Sequence, residues 1–207
     1  MFDSRTSIAD FVAATAARQP APGGGSVTAL VAALAASLGE MVINYSVGKK
    51  GLEAHQADLK SALAELTRAH KMLLDLMVED QAAYETLSAI RKLPADSPER
   101  TSKMPAALLA CIRVPEAVAA TGVAILQRCD TLVDQVNSHL LSDLAVCADL
   151  AMASIRCAIY NVRVNITALD DPADRTAVET TVGQILSHAL LLIQRVAPRI
   201  WNRAENG

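Results

Sequence analysis

Between Val27 and Val47 the chain reads VTALVAALAASLGEMVINYSV, an alanine-rich apolar run broken only by hydroxyl-bearing residues, Gly39, Glu40 and Asn44. Nothing else in the sequence constrains the fold as strongly. Alanine is the best helix former, and the run shows no two-residue alternation of the kind a strand requires. Its length is close to the roughly 20 residues that cross a bilayer. Glu40 and Asn44, one turn apart, make a membrane position costly, and no second span is expected. The run therefore predicts a helix from about Ser26 to Val47, buried in a bundle, in a protein with no membrane partner.

The remaining chain points the same way. Hydrophobic residues make up 52% and aromatics 3%, so the core must be built from Ala, Leu, Val, Ile and Met. Strands draw on β-branched and aromatic residues, which favours helices here. A short amphipathic helix comes first, with Ile8, Phe11 and Val12 on one face. After GKKGLEAH, Leu59, Leu63, Leu66, Leu73, Leu74 and Met77 recur at helical spacing, and this helix continues through VEDQAAYETLSAIRKL. PADSPER reads as a loop. The next helix starts near Thr101, holds Pro105 in its first turn, and is kinked or restarted at Pro115. Another runs from about Ser142 to Leu169, DDPAD ends it, and the last runs from about Arg175 to Trp201. IYNVRVNIT alternates, but it continues a helical run without a turn signal. The expected fold is all-α: a single-domain bundle of long helices around a buried Ala-rich helix, spanning residues 1–207.

Charge and cysteine usage narrow the function. The net charge of −3 argues against a nucleic-acid partner, which would call for a basic stripe. Cys111, Cys129, Cys147 and Cys157 form no CxxC pair and have no histidine at metal spacing, so they read as small core residues in a reducing compartment. The N-terminus lacks an apolar signal stretch, and the expected location is cytoplasmic. His55, His70, His139 and His188 make no paired-ligand spacing, so surface or capping roles and no bound metal are expected.

The glycines Gly23, Gly24 and Gly25 and Ser26 stand at the head of the apolar run. A P-loop needs GxxxxGK[ST], and here Lys49 and Lys50 come far too late. What remains is a loop that lets a ligand approach the backbone at a helix N-terminus, or a tight turn between packed helices. A side chain on Gly24 is expected to block such an approach. Asp80 and Tyr84 lie four apart on an otherwise apolar face. Asp143, after Ser142, heads a buried helix, as either a cap or a functional carboxylate. Asn161 and Asn165 are also four apart on one face, and buried amides there need partners.

PAPGGGSVTALVAALAASLGEMV, SVGKK, EDQAAYETL and NSHLLSDLAVCADLAMASIRCAIYNVRVN together resemble the cyclodeaminase/cyclohydrolase family, over about Ile8 to Leu169. The resemblance implies an all-α, dimeric enzyme acting on folate one-carbon units without a metal or cofactor beyond its tetrahydrofolate substrate. It implies Asp80, Asp143 and Lys49 as catalytic groups. Gly23, Gly24, Gly25, Ser26, Lys50, Tyr84, Ser142, Asn161 and Asn165 would bind substrate. Gly51 stands where the family often has an aromatic residue. With no transferase domain in view, the expected reaction is hydrolysis of 5,10-methenyltetrahydrofolate to 10-formyltetrahydrofolate. The alternatives are ammonia release from formiminotetrahydrofolate and a non-catalytic helical module.

Spacing adds one further expectation. A helix between Gly25 and Lys49 holds them about 36 Å apart, and Asp143 and Asn161 are about 27 Å apart along theirs. Either a long substrate spans each pair, or two chains pack antiparallel and build sites from both. The second arrangement predicts a homodimer with sites at the interface.

Overall fold

The computed structural model describes residues 1–206. It contains six α-helices: α1 (Ile8–Ala16), α2 (Gly24–Asn44), α3 (Gln56–Arg91), α4 (Pro98–Leu132), α5 (Leu141–Ile166) and α6 (Pro172–Asn206). Among the described residues there is no strand, and IYNVRVNIT lies inside α5 up to Ile166, with Thr167 as the C-cap. The all-α expectation holds.

The helix boundaries follow local chemistry. Ser97 caps α4 by accepting the Arg100 N–H, and Pro98 takes the first turn, where its missing N–H costs nothing. The helix thus begins three residues before Thr101, which leaves Pro105 in its interior rather than its first turn. Asp171 accepts the Ala173 N–H at 2.7 Å and lets α6 begin at Pro172. Gly23 caps α2, so Gly24 and Gly25 form its first turn instead of lying outside it.

Helix α2 packs against α3, α4 and α5 and buries Ala29, Ala32, Ala33, Ala35 and Ala36 completely or nearly so. Alanines let the neighbouring backbones approach closely, and Leu66 of α3 and Cys147 of α5 crowd Gly39. One face of α2 is not covered, however: Leu34 and Tyr45 are exposed. The helix is buried on one side only. Among the described residues three helices are long and apolar enough to cross a membrane, α2, α4 and α6, where one was expected. In α2 and α4 about half of that apolar window is buried against other helices.

Several polar residues have local explanations. Glu40 accepts the Thr67 hydroxyl at 2.7 Å and pairs with the His70 ring, so α3 supplies what a mid-helix carboxylate needs. Gly48 and Gly51 both adopt positive φ, which a glycine does without strain, so the turn after α2 explains the glycine at 51. Cys111, Cys129 and Cys147 are buried as expected, but Cys157 is exposed on α5. Phe11 alone of the α1 apolar residues is buried, against Phe2, while Ile8 and Val12 face solvent.

Helices α2 and α5 run antiparallel. Cys147 donates to the Ala35 carbonyl, Gly24 faces the Asn161 side chain, and Ser46 accepts the Asn137 N–H at 2.9 Å. The start of α2 therefore meets the end of α5, and the end of α2 meets the start of α5.

Candidate functional site

The first turn of α2, the middle of α3 and α4, and the last turns of α5 enclose a cavity of about 240 Å³. Larger grooves lie along α6 (about 670 Å³) and between α3 and α4 (about 590 Å³). Those are more open, and neither contains any of the expected site residues. The smaller cavity is where Gly23, Gly24, Gly25, Asp80, Tyr84, Asn161 and Asn165 converge.

Asp80 is its chemical centre. The carboxylate accepts the Ser26 hydroxyl at 2.7 Å, and the Ser26 main-chain N–H adds a second interaction at the head of α2. Burial pushes the Asp80 pKa above its ordinary 3.8, and the Ser26 hydrogen bonds pull partly the other way. The desolvation effect dominates. A carboxyl group raised in this way can hold or release a proton closer to neutral pH than a surface aspartate.

The glycines have unequal roles. A Cβ on Gly25 would stand 1.9 Å from Asp80 Oδ1, so no other residue fits under the carboxylate. A Cβ on Gly24 would stand 3.4 Å from Asn161 Oδ1, at the edge of ordinary contact, and one on Gly23 meets only the Pro20 carbonyl at 3.9 Å. The position that cannot carry a side chain is Gly25, not Gly24. At this position glycine brings the helix head against a charged group of the protein itself, the Asp80 carboxyl.

Asn165 answers the question posed by Pro115. Helix α4 continues through Pro115, which has no N–H to give the Cys111 carbonyl. Asn165 Nδ2 donates to that carbonyl at 3.0 Å, and to the Asn161 carbonyl at 2.9 Å. The amide of α5 satisfies the gap in α4, so the helix neither stops nor restarts, and Asn165 is fixed at the cavity wall. Asn161 turns its side chain into the cavity, and Tyr84 stands half-exposed at the mouth. Sequence reasoning missed Gln81 and Cys111. Pro115 was a usable signal for Cys111, whose carbonyl it leaves open. Burial and the nearby Asp80 charge push the Cys111 thiol pKa up, which keeps it neutral.

Lys49, Lys50, Ser142 and Asp143 are elsewhere. Lys49 bonds the Asn137 side chain, which also accepts the His139 N–H at 3.2 Å. Ser142 is exposed and Asp143 half-buried in the first turn of α5. This group lies at the far end of the α2/α5 pair, about 30 Å along α2 from the glycines. Within one chain the expected site is thus split in two. Among the described residues no cluster of His, Cys, Asp or Glu suits a metal ion.

A family profile described as Formiminotransferase-cyclodeaminase matches residues 7–184. A methenyltetrahydrofolate cyclohydrolase from Methylorubrum extorquens is 30% identical over 81% of this chain and 82% of its own length. The formimidoyltransferase-cyclodeaminase of Gallus gallus is 31% identical over 86% of this chain, which spans about a third (34%) of that longer protein. The crystal structure of a formiminotetrahydrofolate cyclodeaminase from Thermotoga maritima superposes with a TM-score of 0.89 at 27% identity, covering 96% of this chain and 97% of that one.

Proposed function

The chain belongs to the formiminotransferase-cyclodeaminase family, and on that premise we propose that it is a folate one-carbon enzyme hydrolysing 5,10-methenyltetrahydrofolate to 10-formyltetrahydrofolate. The observation that carries the reading is Asp80, a desolvated carboxyl group seated over Gly25 at the head of α2. Hydrolysis passes through a tetrahedral carbon between N5 and N10. Water adds to the cationic methenyl bridge with loss of one proton, the C–N5 bond breaks as N5 takes a proton, and the remaining hydroxyl proton passes to solvent as the formyl C=O forms. As carboxylate, Asp80 steadies the cation and accepts the proton of the incoming water. As acid, it returns that proton to N5. Ser26 holds the carboxyl in place. Asn161 supplies an amide for the pterin ring, and Tyr84 a flat surface at the mouth.

Formiminotetrahydrofolate cyclodeamination is the second reading, favoured by the likeness to the Thermotoga maritima enzyme. It runs through the same tetrahedral carbon and expels ammonia, so the same acid serves. Offering the purified protein each substrate separates the two. Loss of methenyl absorbance from methenyltetrahydrofolate marks the hydrolase. Its appearance from formiminotetrahydrofolate marks the deaminase. No change in either would point to a non-catalytic folate-binding module.

The dimer reading is also ours. Along α2 and its C-cap, Val27, Val31, Leu34, Leu38, Met41 and Tyr45 recur at alternating spacings of four and three, and all are partly or fully exposed. On α5, Val146, Leu150, Ala153, Cys157, Tyr160 and Val164 do the same. Two neighbouring helices thus offer heptad-spaced apolar seams to solvent, the pattern that helices use to pair. A two-fold axis across these seams lays each helix antiparallel to its copy. It carries the Lys49, Lys50, Ser142 and Asp143 end of one protomer to the glycine end of the other. The lysines would then meet the anionic glutamate tail or the pterin carbonyl. The cytoplasm is the proposed location, since the substrate is an intracellular one-carbon carrier.

A further inference from the structure

Gln81 follows Asp80 on α3 and lines the same cavity, yet its side chain is fully buried and turned to other business. Its Oε1 accepts the Phe2 N–H at 2.8 Å. Its Nε2 donates to the Phe2 carbonyl at 2.7 Å and to the Met77 carbonyl at 3.0 Å. Both amide hydrogens are spent, so no N–H is left for a ligand. The Phe2 main chain is gripped on both sides, as a strand would be by its neighbour.

What hangs from that grip is the segment leading to the active-site loop. The Phe2 ring packs edge-on against Phe11, with centroids 6.2 Å apart. Phe11 is the sole residue of α1 that is buried. From α1 the chain passes directly to Pro20 and Ala21, which form one wall of the cavity, and then to Gly23 at the head of α2. The stretch between Asp3 and Arg18 has few other attachments to the bundle: Asp3 bonds Arg5 and Thr6, and Ser7 bonds Asp10, all within the segment itself. Buried polar side chains with every hydrogen bond made specify one arrangement of what they join.

We propose that Gln81 is a positioning residue for substrate binding: its amide latches Phe2, and through Phe2 and Phe11 it holds the N-terminal segment so that Pro20 and Ala21 stay in place as the wall of the folate pocket. The proposal rests on the folate reading for its ligand, but not for its mechanics. Without the latch, α1 and the loop after it detach more often, and substrate meets an open wall. The acid at Asp80 is untouched, so chemistry proceeds once substrate is bound.

Gln81→Leu removes all three hydrogen bonds at similar size. It is expected to raise KM about tenfold while kcat changes less than about twofold, a factor comparable to losing one or two hydrogen bonds. Phe11→Ala loosens the other anchor without touching the cavity, and must move KM in the same direction. Hydrogen–deuterium exchange on the substrate-free variants gives a readout independent of activity. Amides in residues 8–23 should exchange faster in both, while those of α3 and α5 keep their protection. A lower melting temperature with unchanged KM, or unchanged exchange in residues 8–23, would overturn the latch. A fall in kcat at constant KM would make Gln81 part of the chemistry and also overturn it. If the wild-type protein neither turns over nor binds tetrahydrofolate derivatives, the folate reading fails, and the exchange result still decides the latch.

Discussion

The two ends of the α2/α5 pair contain similar inventories and treat them differently. At the glycine end, Asp80 is desolvated, with its pKa raised, and Asn161 lines the cavity. At the lysine end, Lys49 is already bonded to Asn137, Ser46 accepts the Asn137 N–H, and Ser142 is open to solvent. One end stores an unfavourable burial, and the other is a satisfied polar knot at the surface. Groups held against their solvation preference mark chemistry, whereas solvated ones contribute charge and recognition.

The comparison can be broken first at Gly25. Gly25→Val drives a side chain into Asp80, and activity is expected to fall below detection. Overpacking of this kind also costs about 1–3 kcal/mol of stability. Gly24→Val should be much milder in both respects, since its Cβ meets only Asn161 at the edge of contact. Equal loss at both positions in activity assays and thermal melts would mean that the loop acts as a simple turn.

Asp80→Asn comes next. A proton-transfer group is worth about 10²–10⁴ in rate, so kcat should fall by that factor. Stability should move the other way. Because the native pKa of Asp80 lies above its ordinary 3.8, the folded state holds the proton more tightly than the unfolded one. Its stabilising effect is complete below the ordinary value and is lost as pH rises through the native pKa. Once pH has risen past the native pKa, the wild type carries a destabilising charge that the variant lacks. Melting temperatures of the two proteins should diverge in the variant's favour as pH rises. A variant less stable at pH 7 than the parent would show that burial is not the dominant influence on Asp80.

At Asp143 the effect should be smaller. Asp143→Asn is expected to lower turnover about tenfold, or about 1.4 kcal/mol of transition-state stabilisation, with little change in melting temperature. Asn caps a helix about as well as Asp, so a purely capping role leaves turnover intact. Near-normal activity would remove Asp143 from the site.

The smallest signal tests whether the two ends meet. Gly25→Val and Lys49→Ala, each inactive alone, should regain activity when their chains are exchanged. Half of the randomly mixed dimers are heterodimers, each with one intact site of two, so about a quarter of wild-type activity is expected. Mixed dimers that form but stay inactive would place each site within one chain.

Much of this protein was legible before folding. The alanine run, the helical spacing of leucines and the scarcity of aromatics specify helices in a bundle, because those signals are local and repeat at 3.6 residues. The glycines at the head of α2, and Asp80 and Asn161 as polar intruders on apolar faces, also stood out locally. What local pattern misjudged was decided by distant partners. Pro115 stays inside a continuous helix because Asn165, 50 positions later, takes the carbonyl it leaves open. Glu40 is tolerated in α2 because Thr67 and His70 of α3 receive it. Gln81 gave no signal at all, since its partners are main-chain atoms of Phe2. Gly25 outranks Gly24 only because α3 sets Asp80 directly over it. Periodicity fixes which face a residue occupies. Which atom waits on the other side is set by how helices pack, and that information is spread over residues far apart in the chain.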